Sequence, residues 1–159
     1  PQKVSVSAPK AHYTQKTSTL DVTGDVHLVR TDSSKSESLE AKGTGGTFLI
    51  SESTDDPLIQ ADMPGPITFH MRGLRNEDGK KVPFNLNGKA GHLNYLRNER
   101  TITLSKGVTL SGTDPSLAGD ITGVSRAVIT LNKDREIDSI DMVGDPGKWV
   151  IDPKKTGGN

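Results

Sequence analysis

Apolar and polar residues alternate with a period of two along six stretches: "KVSVSA" (3–8), "TLDVTGDVHLV" (19–29), "PITFHM" (66–71), "VPFNLNG" (82–88), "TITLSKGVTL" (101–110) and "AVITLN" (127–132). In extended backbone successive side chains point to opposite faces, so each stretch predicts a β-strand with one apolar face. Gly, Pro, Asn, Asp or Ser bounds each of them. None keeps an apolar stripe at i, i+3, i+4 and i+7 for three turns, and Thr, Val and Ile stand where a helix favours Ala, Leu or Glu. At most a short helical turn near the N-terminus is expected. The Asp-Gly pair in "NEDGKK" (76–81) predicts a hairpin tip.

The pattern is written twice. A shift of 82 positions places Tyr13 on Tyr95, Thr19 on Thr101, Val26 on Val108, Leu28 on Leu110, Thr31 on Thr113, Asp32 on Asp114, Ser34 on Ser116 and Leu49 on Leu131, without a gap. Leu20, Val22 and Leu39 fall on the apolar Ile102, Leu104 and Ile121. The copies span about 12–66 and 94–150, each closing on a Gly/Pro turn ("DMPGP", 62–66; "GDPG", 144–147), with a linking hairpin over about 67–93. Repetition of one such unit predicts a stacked sheet assembly with exposed ends.

Composition narrows the picture. A length of 159 residues suits one domain, expected over 1–153 with a flexible tail at 154–159, and 17 glycines and 9 prolines suit an all-β chain rich in turns. Twenty basic residues balance twenty acidic ones, so the broad positive field of a nucleic-acid binder is missing. Absence of cysteine excludes disulfides and thiolate chemistry. No apolar run approaches the roughly 20 residues of a membrane-spanning helix. Because the sequence starts at Pro1, a removed signal peptide or membrane anchor is an expectation.

Candidate chemistry is sparse. His12, His27, His70 and His92 are scattered without metal-ligand spacing, and His27 is out of phase with Val26 and Leu28, facing solvent. The Asp55-Asp56 pair in "SESTDDP" (51–57) could hold a cation or act on a sugar, but consecutive carboxylates before proline more often shape a loop. "GTGG" (43–46) precedes strand-like "TFLI" rather than a helix, which points to a bulge or turn and not a phosphate cradle. No Gly-x-Ser-x-Gly elbow occurs. No nucleophilic enzyme, metal or cofactor is expected.

The order of these pieces resembles the periplasmic lipopolysaccharide-transport proteins of the LptA/OstA type. "GKAGHLNYLRNERTITLSKGVTLSGTDPSLAGD" (88–120) is similar to that family's repeat through Ala90, Tyr95, Ile102 to Leu104, Gly107, Val108 to Leu110 and Gly119-Asp120. The first copy fits through Tyr13, Leu20 to Gly24 and Val26 to Leu28, and "GPITFHM" with "DGKKV" resembles the linking hairpin. The chain departs from the pattern at "SKG" (105–107) and at Leu131, where an aromatic is common.

The resemblance implies a twisted, semi-open antiparallel β-jelly roll, the OstA-like β-taco, built from two diverged repeats. It also implies a non-catalytic periplasmic protein that shields lipid A acyl chains of lipopolysaccharide. The expected lining is Leu20, Val22, Val26, Leu28, Phe48, Ile67, Phe69, Phe84, Leu86, Ile102, Leu104, Val108, Leu110, Ile121, Leu131, Met142 and Trp149. Implied partners are an inner-membrane anchored component and an outer-membrane receiver of similar fold. The soluble part of the anchored, LptC-like component is an alternative. Others are a β-rich structural module without a lipid, whose alternating residues are ordinary sandwich core, and a carbohydrate-active β-solenoid. Residues 1–79 hold 8 basic and 11 acidic side chains and residues 80–159 hold 12 and 9, an asymmetry that could favour head-to-tail self-association.

Overall fold

The computed structural model describes residues 2–32, 37–52, 56–112 and 119–144, without the side chains of 75–77 and 119–120. Asp55, Trp149, the 145–147 turn and the expected tail lie outside these residues. The strands are β1 (Gln2–Ser7), β2 (Lys10–Thr14), β3 (Thr19–Asp32), β4 (Glu37–Ile50), β5 (Leu58–Glu77), β6 (Lys80–Leu96), β7 (Thr101–Gly112), β8 (Gly119–Leu131) and β9 (Ile137–Gly144). All belong to one sheet in the order β1-β3-β4-β5-β6-β7-β8-β9, with β2 also on β3. Neighbours are antiparallel, apart from one parallel contact between Arg75 and Ile137.

The N-terminal stretch is strand, not a helical turn: β1 and β2 pair with successive halves of β3. The hairpin tip falls on Asp78-Gly79, both with positive φ, as the Asp-Gly pair predicts. Three strands were not legible as alternation. In β4 a run of four residues, Gly43 to Gly46, interrupts Leu39, Ala41 and Phe48, while β2 and β9 are short edges rich in exposed residues.

A line of bulges crosses the sheet. The register shifts between Thr23 and Val26 in β3, Lys42 and Thr47 in β4, Pro64 and Ile67 in β5, and Lys89 and His92 in β6. It shifts again between Ser105 and Val108 in β7 and between Val124 and Arg126 in β8. Each bulge is opposite the next, and the break between β1 and β2 lies on the same line, where a Cβ on Gly24 would sit 2.5 Å from Pro9 Cγ. Bulges bend the strand that carries them and increase its twist. In line across neighbouring strands they crease the sheet into two arms. One carries β1 and the segments 26–43, 67–90 and 108–124; the other carries β2, β9 and the segments 19–23, 46–64, 91–105 and 126–131.

The crease also carries the repeat. The β3 bulge, moved by 82 positions, is the β7 bulge. Ser18 and Arg100 both have φ of 55°, and Gly24 (φ 91°) matches Lys106 (φ 66°). Leu20, Val22, Val26, Leu28 and Leu39 have their counterparts at the same inner positions of β7 and β8, all buried or packed against the core. Tyr13 and Tyr95 differ: Tyr13 is 52% exposed on edge strand β2, Tyr95 only 3% inside β6.

One face of this sheet is apolar and almost fully withdrawn from water, from Val22 at 6% to Leu28, Phe48, Met63 and Ile102 at 0%. No second layer is present among the described residues, so the sheet must cover its own apolar face by closing arm upon arm. The core is the space between the arms.

Candidate functional site

Every residue expected to line the interior, Trp149 aside, joins this one cluster. Leu20 and Met142 are packed against it only in part, and the rest lie at 4% exposure or less except Val22. The side chains fill the space they surround, so the interior is closed. Depressions of about 480 Å³ and 600 Å³ lie over outer-face residues such as Lys42, Thr68 and Lys89, and another of about 540 Å³ lies at the mouth against Asp32, Glu37 and Phe84.

The outer face is polar, as alternation requires. His27 is there, 3.2 Å from Glu40, and His92 Nε2 lies 2.6 Å from Asp62 Oδ1, which also accepts from Asn94 at 3.2 Å. Thr47 donates to Asp21 across β3 and β4 at 2.8 Å. Among the described residues no three His, Asp or Glu group as metal ligands. No described helix is long and apolar enough to cross a membrane.

Sequence reasoning missed a charged cluster at the ends of the strands furthest from the crease. Arg30 is completely buried and donates through Nη2 to Glu37 Oε1 at 2.8 Å. Its guanidinium carbon stands 5.3 Å from the centre of the Tyr95 ring, which belongs to the opposite arm. Arg135, in the β8–β9 turn, reaches back across the mouth to Asp32 Oδ2 at 2.5 Å, Glu37 Oε2 at 3.4 Å and Asp56 Oδ2 at 3.8 Å. The Gln2 amide, turned to satisfy both its ends, accepts from Arg135 and donates to Asp56 at 3.0 Å. Lys81 and Glu136 make a further crossing at 2.5 Å.

Arg30 and Glu37 lie on the same arm; the contacts of Arg135 with Asp32 and Glu37, of Lys81 with Glu136 and of Arg30 with the Tyr95 ring cross to the other and pin the arms together opposite the crease. Their electrostatics agree with their burial. Desolvation works against the Arg135 charge, but Glu37, Asp32 and Asp56 outweigh it and hold its pKa above the ordinary value. Burial raises the Tyr95 phenol, with Arg30 opposing. Glu136 is held below the usual carboxylate range, first by the hydrogen bond from Lys81 and then by that from Asn132. Asp56, half of the pair that could have been a cation site, instead faces Arg135.

A signal for part of this cluster was present. Val26, Leu28, Arg30 and Asp32 share one parity, so the alternation that sends the first two inward sends the arginine and aspartate after them. The partners from Asp56, Tyr95 and Arg135 come from distant segments, and no local pattern brings them together.

No family model and no curated protein sequence matches the chain. Among solved structures it is similar to LptH from Pseudomonas aeruginosa, described as the LptA homologous periplasmic component of the conserved lipopolysaccharide transport device. The identity is 13% and the TM-score 0.57, over 89% of this chain and 94% of that one. At that identity the likeness concerns architecture: the chain has the all-β, open twisted sheet of the LptA-like fold.

Proposed function

We propose that this chain is a non-catalytic periplasmic protein that binds lipopolysaccharide and passes it between inner- and outer-membrane transport components. The observation that carries the proposal is a single sheet folded over one continuous apolar face, which among the described residues only its own arms cover. Exposing an acyl chain of a dozen carbons to water costs on the order of 10 kcal/mol, at about 0.8 kcal/mol per methylene. An apolar trough that opens and recloses around the chain removes that cost. The likeness to LptH supports the same direction.

Lipid entry requires the arms to part, because the lining is packed upon itself. The mouth is the natural place, since the far ends of the two arms are joined there by side chains, whereas at the crease the same strands run from one arm into the other. The edges suit partners of similar fold. Edge strand β2 exposes Lys10, His12 and Tyr13, and edge strand β9 exposes Asp138, Asp141 and Val143. Opposite charge on two free edges favours strand addition between copies or between related domains.

The close packing of the interior also supports a second reading, a β-rich interaction module with no lipid ligand. Photoreactive residues in place of Leu28 and Leu110 separate the two. Adducts with labelled lipopolysaccharide are expected from both positions and not from outer-face Thr109. Absence of adducts at both inner positions would establish the module.

A further inference from the structure

The mouth cluster contains a group that the closed protein leaves unsatisfied. Arg30 has no exposed surface, yet its Nε and Nη1 have no hydrogen-bond partner among the described residues. Burying donors without acceptors is unfavourable, and such groups in a folded protein call for an explanation. Cross-strand register puts Arg30 in one inner row with Leu39, Met71 and Leu86. The next inner row toward the crease holds Leu28, Ala41, Phe69 and Leu110, so the guanidinium is the polar end of an apolar path.

We propose that Arg30 is a binding residue for the ester or amide carbonyl oxygens of an acylated amphiphile, at the junction between its headgroup and chains. This inference rests on the lipid-binding reading above and specifies which atoms of the ligand stop at the mouth. Charge decides between a carbonyl and a phosphate. Among the described residues, Arg30 and Arg135 are surrounded by Asp32, Glu37 and Asp56, one more carboxylate than guanidinium. A phosphate placed there meets net repulsion, whereas neutral carbonyls accept separately from the idle Nε and Nη1 and leave the Glu37 pair intact. Chains then run from Arg30 along Leu28 and Val26 toward the crease.

The test compares diheptanoyl phosphatidylcholine with its diheptyl ether counterpart, both presented as monomers, by displacement of a fluorescent fatty-acid probe. The two lipids differ only in their carbonyls. The ester lipid is expected to bind about tenfold tighter, the effect of roughly 1.4 kcal/mol from a charge-assisted hydrogen bond. In Arg30→Met/Glu37→Gln, which removes both buried charges, the two affinities should converge. If that variant does not fold, the wild-type ratio decides alone. Equal binding of ester and ether lipids to the wild type overturns the carbonyl site while leaving the lipid trough standing. Binding of neither lipid overturns the trough and this inference with it. Tighter binding of dialkyl phosphatidic acid than of the dialkyl choline lipid marks an anion site and also overturns the proposal.

Discussion

Lys106 and Arg30 each carry a local cost that yields a prediction. Lys106 adopts φ of 66° at the position where the first copy has Gly24, and a side chain in the left-handed region is disfavoured. Lys106→Gly is expected to raise stability by about 0.5–1 kcal/mol, the relief of strain exceeding the added chain entropy. Denaturant unfolding measures it, and a loss of stability would contradict the assignment. Removing one partner of the buried Arg30–Glu37 pair leaves the other charge stranded, so Glu37→Ala should cost about 3–5 kcal/mol. Arg30→Met/Glu37→Gln should recover most of that loss in a thermal melt. At this scale the apolar lining was legible because parity alone assigns Val22, Val26 and Leu28 inward. Arg30 and Asp32 obeyed the same parity, but charged residues are rarely buried without partners. Their partners are up to 103 residues away, beyond the reach of any local pattern.

At the scale of elements the crease organises the fold. Glycines sit where neighbouring backbones come close: a Cβ on Gly91 would lie 2.9 Å from the Lys106 carbonyl oxygen. Gly91→Ala should therefore destabilise the β6–β7 pair, by about 1–3 kcal/mol for a clash in a packed setting, with faster amide exchange across 89–108. The same feature explains why strands were read as shorter than they are. A bulge resets the alternation, so β5 showed only its 66–71 portion, and β4, with Gly43 to Gly46 in its middle, did not register as one strand. The β8–β9 turn adds a pH dependence. Glu136 has a folded pKa below its unfolded one, so the Lys81–Glu136 crossing contributes stability above the unfolded carboxylate value. That contribution is lost as pH falls through the folded value. Glu136→Gln is expected to flatten this part of the acid unfolding curve while leaving other pH dependence intact; an unchanged curve would show the crossing to be energetically idle.

For the whole molecule, the two edges and the mouth are the places where function would act. Charge opposition between β2 and β9 predicts concentration-dependent association that weakens with salt, measurable by light scattering. Asp138→Lys/Asp141→Lys should abolish it, and association that persists at the same strength would place the contact elsewhere. The all-β class was legible from alternation and glycine placement, whereas the open twisted sheet followed from the family resemblance. Closure was not legible, because whether two arms of a creased sheet meet depends on contacts among strand ends far apart in the chain.

The most direct test asks whether the arms part when lipid enters. The chain has no cysteine, so Lys80→Cys and Lys133→Cys, on opposite arms at the mouth, can carry spin labels without background. Pulsed electron–electron distance measurement is expected to show one short, narrow distribution for the free protein and a shift to longer distances on adding lipopolysaccharide. A distribution unmoved by saturating lipopolysaccharide would mean that the interior is a sealed core rather than a trough.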